Sequence, residues 1–137
     1  PFSLAEKKEP ELPPVNAKIV AFIAANIGNK IGEGNCWNLA NRSLKESGAK
    51  RPGKSNYVWG REIDPEKEDV LPGDIIQLFE KDNEPHGKHT AVVYKVVNKN
   101  EVVIAEQNFN KKLFVTTRKI DFRKAVKAKD LHIYRPS

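Results

Sequence analysis

The sequence predicts an α+β domain in which N-terminal helices pack on an antiparallel β-sheet. Two observations carry this. Apolar residues recur at three- and four-residue spacing up to about residue 47, and after Leu71 the period changes to two, with turn-forming residues between the runs. The chain has 137 residues, enough for one domain with a real core. Its 39% hydrophobic and 31% charged content is that of an ordinary globular domain. No apolar run approaches the roughly 20 residues of a membrane span. The nearest one, Ile19 to Ala25, is broken by Asn26.

Residues 1–13 read as a linker, with Pro10 and Pro13 among Glu6, Lys7, Lys8, Glu9 and Glu11 and little to bury. The chain lacks Met and opens on this charged, proline-bearing stretch, so it reads as a piece of something longer. The domain is expected over 14–137. A first helix begins near Pro14–Asn16, with Val15, Ile19, Phe22, Ile23 and Ile27 on one buried face and Gly28 as its stop. A second runs from Cys36 to Ser47, with Leu39, Ala40 and Leu44 inside, Ser43, Lys45 and Glu46 outside, and Gly48 ending it. Residues 49–70 look irregular. Tyr57, Val58 and Trp59 there form an aromatic cluster, either a core plug or a cleft wall.

Gly73 to Phe79 alternates as a strand, and a polar loop follows from Glu80 to Lys88. Strands at about 89–97 and 101–109 are joined by a short turn at Asn98–Asn100. Further strands are expected at Leu113–Thr117 and Leu131–Tyr134.

The single cysteine excludes an internal disulfide and a multi-cysteine metal site. His86 and His132 lack metal-pair spacing, and no cofactor is predicted. The formal net charge of +6 is concentrated between Lys111 and Arg135, where nine Lys or Arg residues face only Asp121 and Asp130. This reads first as a solvated basic face, and second as attraction to an acidic surface or lipid. Without aromatic interleaving or a base-reading helix, nucleic acid is not expected as a partner.

Cys36 opens its helix behind Gly32 and Gly34. Unpaired N–H groups and the positive end of the dipole favour a thiolate at such a position, and the glycines permit the sharp turn before it. His89 starts an apolar strand, and Glu106-Gln107-Asn108 closes the next. Cysteine, then histidine, then an acid or amide is the order of a papain-like site. If Lys99-Asn100 forms a two-residue turn, Ala91 pairs with Asn108 and Val93 with Glu106. His89, Ala91, Glu106 and Asn108 then share a face. Asn108 is the diagonal neighbour of His89, Glu106 lies one pair further with a longer reach, and a one-residue slip brings Gln107 there instead. The candidate catalytic residues are therefore Cys36, His89, Glu106 and Asn108. Trp37, beside the nucleophile, would shield it from water.

Gly34-Asn35-Cys36-Trp37, Leu71-Pro72-Gly73-Asp74-Ile75-Ile76-Gln77, His89-Thr90-Ala91-Val92-Val93 and Glu106-Gln107-Asn108 together resemble the CHAP amidase/peptidase family, in the NlpC/P60-type branch of the papain-like fold. That resemblance implies Cys36 as nucleophile, His89 as base and Glu106 as third member, assisted by Asn108. The run from Gly32 to Ala40 is also similar to the C-terminal cysteine-proteinase-fold domain of fungal SH3-containing, myosin tail region-interacting proteins. This second likeness implies an adaptor of cortical actin patches, cytoplasmic and cytoskeletal, acting in endocytosis and in restraint of actin assembly. It implies myosin and actin-assembly factors as partners of the full-length protein, and a protein or peptide ligand in the cleft. The alternative is a CHAP-type amidase or endopeptidase acting on cell-wall or other peptide amide bonds.

Overall fold

The computed structural model describes residues 11–52, 57–78 and 88–137. The linker up to residue 10, Phe79, and the expected polar loop with His86 lie outside them.

Helix α1, Pro14–Asn26, starts on a proline whose missing N–H costs nothing in the first turn. Ile19 and Ile23 are its buried apolar residues, and Val15 and Phe22 pack against the same core half-buried. Ile27, expected on that face, falls after the helix end and is 45% exposed. Helix α2, Cys36–Ser47, has the expected bounds. Asn35 caps its start, accepting a hydrogen bond from the Asn38 N–H at 2.8 Å, and Gly48 closes it in the left-handed conformation. Ser43, expected outside, is buried. Its hydroxyl donates to the Leu39 carbonyl one turn back at 2.8 Å, which satisfies the polar group without water.

The sheet has six strands, all adjacent pairs antiparallel, in the order β1-β6-β2-β3-β4-β5. These are β1 Arg61–Ile63, β2 Ile75–Leu78, β3 His89–Val96, β4 Glu101–Glu106, β5 Thr116–Asp121 and β6 Leu131–Arg135, with a short helix α3, Arg123–Lys127, before the last. Strand β1 lies in the stretch read as irregular. With three residues and one buried side chain, it has too little alternation to be seen locally, and it exists by pairing with β6. The strand expected at Leu113–Thr117 begins instead at Thr116. Leu113 and Phe114 belong to a loop shaped by left-handed Asn108, Asn110 and Lys111.

The two faces of the sheet carry separate cores. Ile75, Val92 and Ala105 pack with α1, α2 and Trp59 on one side. Ile76, Ala91, Val93, Val102 and Ile104 pack with Phe122, Ile133 and α3 on the other. Trp59 is thus a core plug, its indole N–H donating to Gln77 Oε1 at 3.0 Å. Val58 beside it is exposed.

The β3–β4 register differs from expectation by two residues: Ala105 pairs with Val92, not with Tyr94. The turn over Val97–Asn100 is longer than a two-residue loop and supplies one residue of the shift, since Val96 pairs with Val102. A bulge between Val93 and Lys95 supplies the other. Because the total is even, the side chains keep their expected faces.

Asp74 locks this arrangement. Fully buried, it accepts from the Leu71 N–H at 2.8 Å, from Asn16 Nδ2 at 3.0 Å and from Arg135 Nε and Nη2 at 2.9 and 2.8 Å. A buried carboxylate requires such compensation, and here it joins α1, β2 and β6. Gly73 allows the approach: its φ is +92°, and a Cβ there would meet the Asn16 carbonyl oxygen at 2.7 Å. Gly73→Ala is therefore expected to lower stability by about 2 kcal/mol or more, read as a shifted midpoint in urea denaturation. An unchanged midpoint would remove Gly73 from this role.

Candidate active site

Three adjacent strands deliver one polar row at the end of the second core. Val92 pairs with Ala105, so one step further Ala91 stands opposite Glu106 and His89 is the diagonal neighbour of Glu106. On the other side Ile104 pairs with Arg118, which makes Arg118 the diagonal neighbour of Glu106 on β5. The two-residue shift gives Glu106 the place that the expected register had given Asn108.

The contacts follow the register. His89 Nε2 and Glu106 Oε1 are 2.6 Å apart, and both residues are fully buried. Arg118 donates from Nε to Glu106 Oε2 at 2.6 Å and from Nη2 to Oε1 at 3.2 Å, a side-on fork on the carboxylate. The Arg118 guanidinium also lies 3.8 Å above the Phe109 ring centre, and that ring stands tilted to the His89 imidazole at 6.2 Å. Nε2 is taken by Glu106, and the Cys36 side chain is the other group that acts on the imidazole.

Burial opposes charge on His89. The hydrogen bonds to Cys36 and Glu106, with their negative charges, outweigh it and raise the imidazole from its ordinary value near 6.5 to about 10. Burial likewise opposes charge on Glu106, and the hydrogen bonds from His89 and Arg118 overcome it, holding the carboxyl below its ordinary range. The resting arrangement is an imidazolium between a carboxylate and a sulfur.

Half-buried Cys36 is positioned by its own loop and by Gln107. Gln107 does not turn to His89. Its side chain, fully buried, accepts from the Ile31 N–H at 2.7 Å and donates to the Ile31 and Asn35 carbonyls, both at 3.0 Å. The end of β4 is thereby tied to the loop before the sulfur. Gly34, with φ +87°, lets the loop segment at Leu113 close on it, since a Cβ would lie 2.8 Å from Leu113. The Glu33 N–H donates to Asn38 Oδ1 at 2.9 Å, reciprocating the Asn35 cap.

Asn108 lies past the strand end in the left-handed conformation, and its N–H donates to the Lys112 carbonyl at 2.7 Å. It turns the chain and carries Phe109 back toward Arg118. Trp37 is half-buried and stacks tilted on Trp59 at 5.8 Å, a link from the helix that Cys36 opens into the first core. Sequence reasoning missed Arg118 because it was counted in a basic run. Only the β4–β5 register separates it from its neighbours. Four of the nine basic residues in that run, Arg118, Lys119, Arg123 and Arg135, pair with acids. Lys111, Lys112, Lys124, Lys127 and Lys129 are exposed.

One cavity of about 640 Å³ lies near Val20, Tyr94 and Phe122, and one of about 700 Å³ near Ile63, Val126 and Leu131. Neither is lined by Cys36, His89 or Glu106. Among the described residues no group of three or more His, Cys, Asp or Glu is placed to hold a metal ion, and His132 Nδ1 instead stands 2.9 Å from Glu62. Among the same residues no helix is long and apolar enough to cross a membrane.

Helices α1 and α2 on one face of an antiparallel sheet, with the cysteine at a helix start and the histidine at a strand start, make up the cysteine-proteinase fold. The chain belongs to the AIM3/BBC1 cysteine proteinase-fold domain family, whose model matches residues 14–137. No curated protein sequence matches it. Among solved structures it is similar to Ly7917 with the hydrolyzing product of MDP, with a TM-score of 0.59 and 16% identity over 89% of this chain and 63% of that one. A second structure of Ly7917 gives 0.58 and 17% over 87% and 62%. The chain thus spans less than two thirds of the protein it resembles, and at this identity the likeness concerns the fold alone.

The opposite shifts of His89 and Glu106 predict a pH signature. His89 contributes stability that is fully present below about pH 6.5 and lost as pH rises toward 10, because its folded value is the higher one. Glu106, depressed on folding, contributes stability that is present above about pH 4.5 and lost as pH falls. The stability difference between wild type and Glu106→Gln should therefore be largest between about pH 4.5 and 6.5 and shrink on both sides. Urea titrations across that range measure it, and a difference independent of pH would contradict the assignment.

Proposed function

We propose that this domain is the peptide-handling module of a cytoplasmic, cortical actin-patch adaptor acting in endocytosis and regulation of actin assembly, and that Cys36, His89 and Glu106 are its cysteine-hydrolase site. Membership of the AIM3/BBC1 family supports the cellular setting. The observation that supports the chemistry is the coupling of one buried imidazole to both Cys36 and Glu106.

The proposed steps use only these groups. Cys36 Sγ attacks the carbonyl carbon of an amide as thiolate. The oxyanion is met by the Cys36 N–H, which at the first helical position has no helical acceptor. As the C–N bond breaks, the His89 imidazolium gives its Nδ1 proton to the leaving nitrogen, and a thioester remains. Water, losing a proton to His89, attacks the thioester and releases the acid, returning the sulfur as thiolate. Glu106 keeps its charge throughout and holds the ring by Nε2. Asn108 shapes the loop that brings Phe109 over Arg118, an indirect assistance.

The ligand is proposed to be a peptide segment. Leu113 and Phe114, 44% and 39% exposed, follow exposed Lys111 and Lys112 on the loop that closes on Gly34. An apolar side chain flanked by acidic residues suits that rim. The shallow setting of Cys36, away from both cavities, favours an extended chain over an engulfed small molecule. A second reading, an amidase of cell-wall peptides, shares the chemistry and differs in substrate.

Two measurements test the proposal. Alkylation of Cys36 by iodoacetamide at pH 7 should slow roughly tenfold in His89→Ala, since an unassisted cysteine is only a few per cent thiolate there. Equal rates would sink the assembled site. A panel of acidic–apolar peptides and cell-wall peptides should then show cleavage lost in Cys36→Ala. Binding without cleavage would leave the domain as a peptide-binding module.

A further inference from the structure

We propose that Arg118 is a positioning residue that decides where the proton sits in the His89–Glu106 hydrogen bond. The inference concerns the same site and rests on the reading of Cys36 and His89 as a thiol–imidazole pair.

A carboxylate and an imidazolium 2.6 Å apart in a dry site have two arrangements. In one the proton stays on Nε2 and both groups are charged. In the other it crosses to Oε1 and both are neutral. Low dielectric favours the neutral pair, because each charge loses its hydration. Glu106 is fully buried, so water does not prevent the transfer. Arg118 does. Its fork on Oε1 and Oε2, at 3.2 and 2.6 Å, keeps a second positive charge on the carboxylate and makes it a poorer proton acceptor. The acidic direction of Glu106, for which His89 and Arg118 are together responsible, agrees with this.

The consequence reaches the sulfur. If the proton crossed to Glu106, His89 would be neutral while still carrying its other proton on Nδ1, and the positive charge facing Cys36 would vanish. Arg118 thus supports the charge on the sulfur from the far side of two hydrogen bonds. The geometry is built for it. Arg118 is 29% exposed at its side chain, its plane is stacked on Phe109, and the same ring leans on His89. Its placement diagonal to Glu106 on β5 mirrors the placement of His89 on β3.

The test compares wild type with Arg118→Gln and Arg118→Lys in the folded domain. Nuclear magnetic resonance of imidazole-labelled histidine reads whether the proton stays on Nε2 of His89, independently of turnover. In Arg118→Gln the Nε2–H should be lost to or shared with Glu106 at pH 7, where wild type keeps it, and Arg118→Lys should restore the wild-type state in large part. The iodoacetamide rate at pH 7 should fall in Arg118→Gln and recover in Arg118→Lys. A proton that stays on Nε2 at pH 7 in Arg118→Gln as it does in wild type overturns the proposal, whatever happens to thermal stability. So does an Arg118→Lys variant indistinguishable from Arg118→Gln. Failure of the wild-type thiol to react faster than His89→Ala would instead count against the hydrolase reading alone, because the Nε2 proton is observed without it.

Discussion

A carboxylate removed from water must be met by positive charge, and Glu106 is met twice, by His89 on one neighbouring strand and Arg118 on the other. Much of the site follows from that requirement. The imidazole is pinned by Nε2, and Cys36 acts on the same ring. The guanidinium needs a surface to lie on, which Phe109 supplies, and Phe109 needs a turn to come back over the strand, which left-handed Asn108 makes. Isolated buried ions destabilise folded proteins, and removing one partner leaves the other uncompensated. The three residues therefore behave as a unit, and substitutions within it should not add.

A second buried carboxylate repeats the solution at the opposite end of β2. Asp74 draws Arg135, Asn16 and the Leu71 N–H into one network, and through them fixes α1 and β6 against the central strands. The two networks divide the labour. Asp74 sets where the first helix and the last strand sit, while the Gln107 side chain, bonded to Ile31 and Asn35, sets where the second helix begins. The sulfur is located by both at once: α2 lies against α1 and β3, and its first residue is held by the strand that also presents Glu106. Glu106, Gln107 and Asn108 are consecutive, yet one bonds a histidine, the next anchors the loop before Cys36 and the third reverses the chain. Side-chain alternation at the strand end and the exit from extended structure at Asn108 separate these tasks.

How much of this the sequence carried depends on how local each determinant was. Helix α2 was legible to the residue because its cap, its apolar stripe and its terminal glycine all lie within fourteen positions. The period-two runs gave β2, β3 and β4, and the face shared by His89 and Glu106. Strand β1 was invisible because three residues with one buried side chain carry no period. Ser43 was misplaced because a hydroxyl bonded to the preceding turn is apolar in effect, which composition cannot reveal. The choice among Glu106, Gln107 and Asn108 turned on a longer turn and a bulge, one residue each, which alternation along the strands does not reveal. Arg118 required the register of one further hairpin, and in the sequence it was one cation among nine.

The electrostatic balance also bears on how the proposed site would work. An imidazole raised to about 10 is a willing ion-pair partner and a reluctant base. In the proposed site it would hold the sulfur charged at rest. In the proposed reaction, once the thiolate has attacked and its charge has moved to the oxyanion, the upward contribution of Cys36 to His89 would be gone, and the proton would become available to the leaving nitrogen. Glu106 remains to orient the ring, and its own charge is already half-answered by Arg118, so it does not hold the proton back. A triad whose third member was unaccompanied would let that proton cross to the carboxylate and leave the imidazole neutral. The second cation on Glu106 lets the first one act.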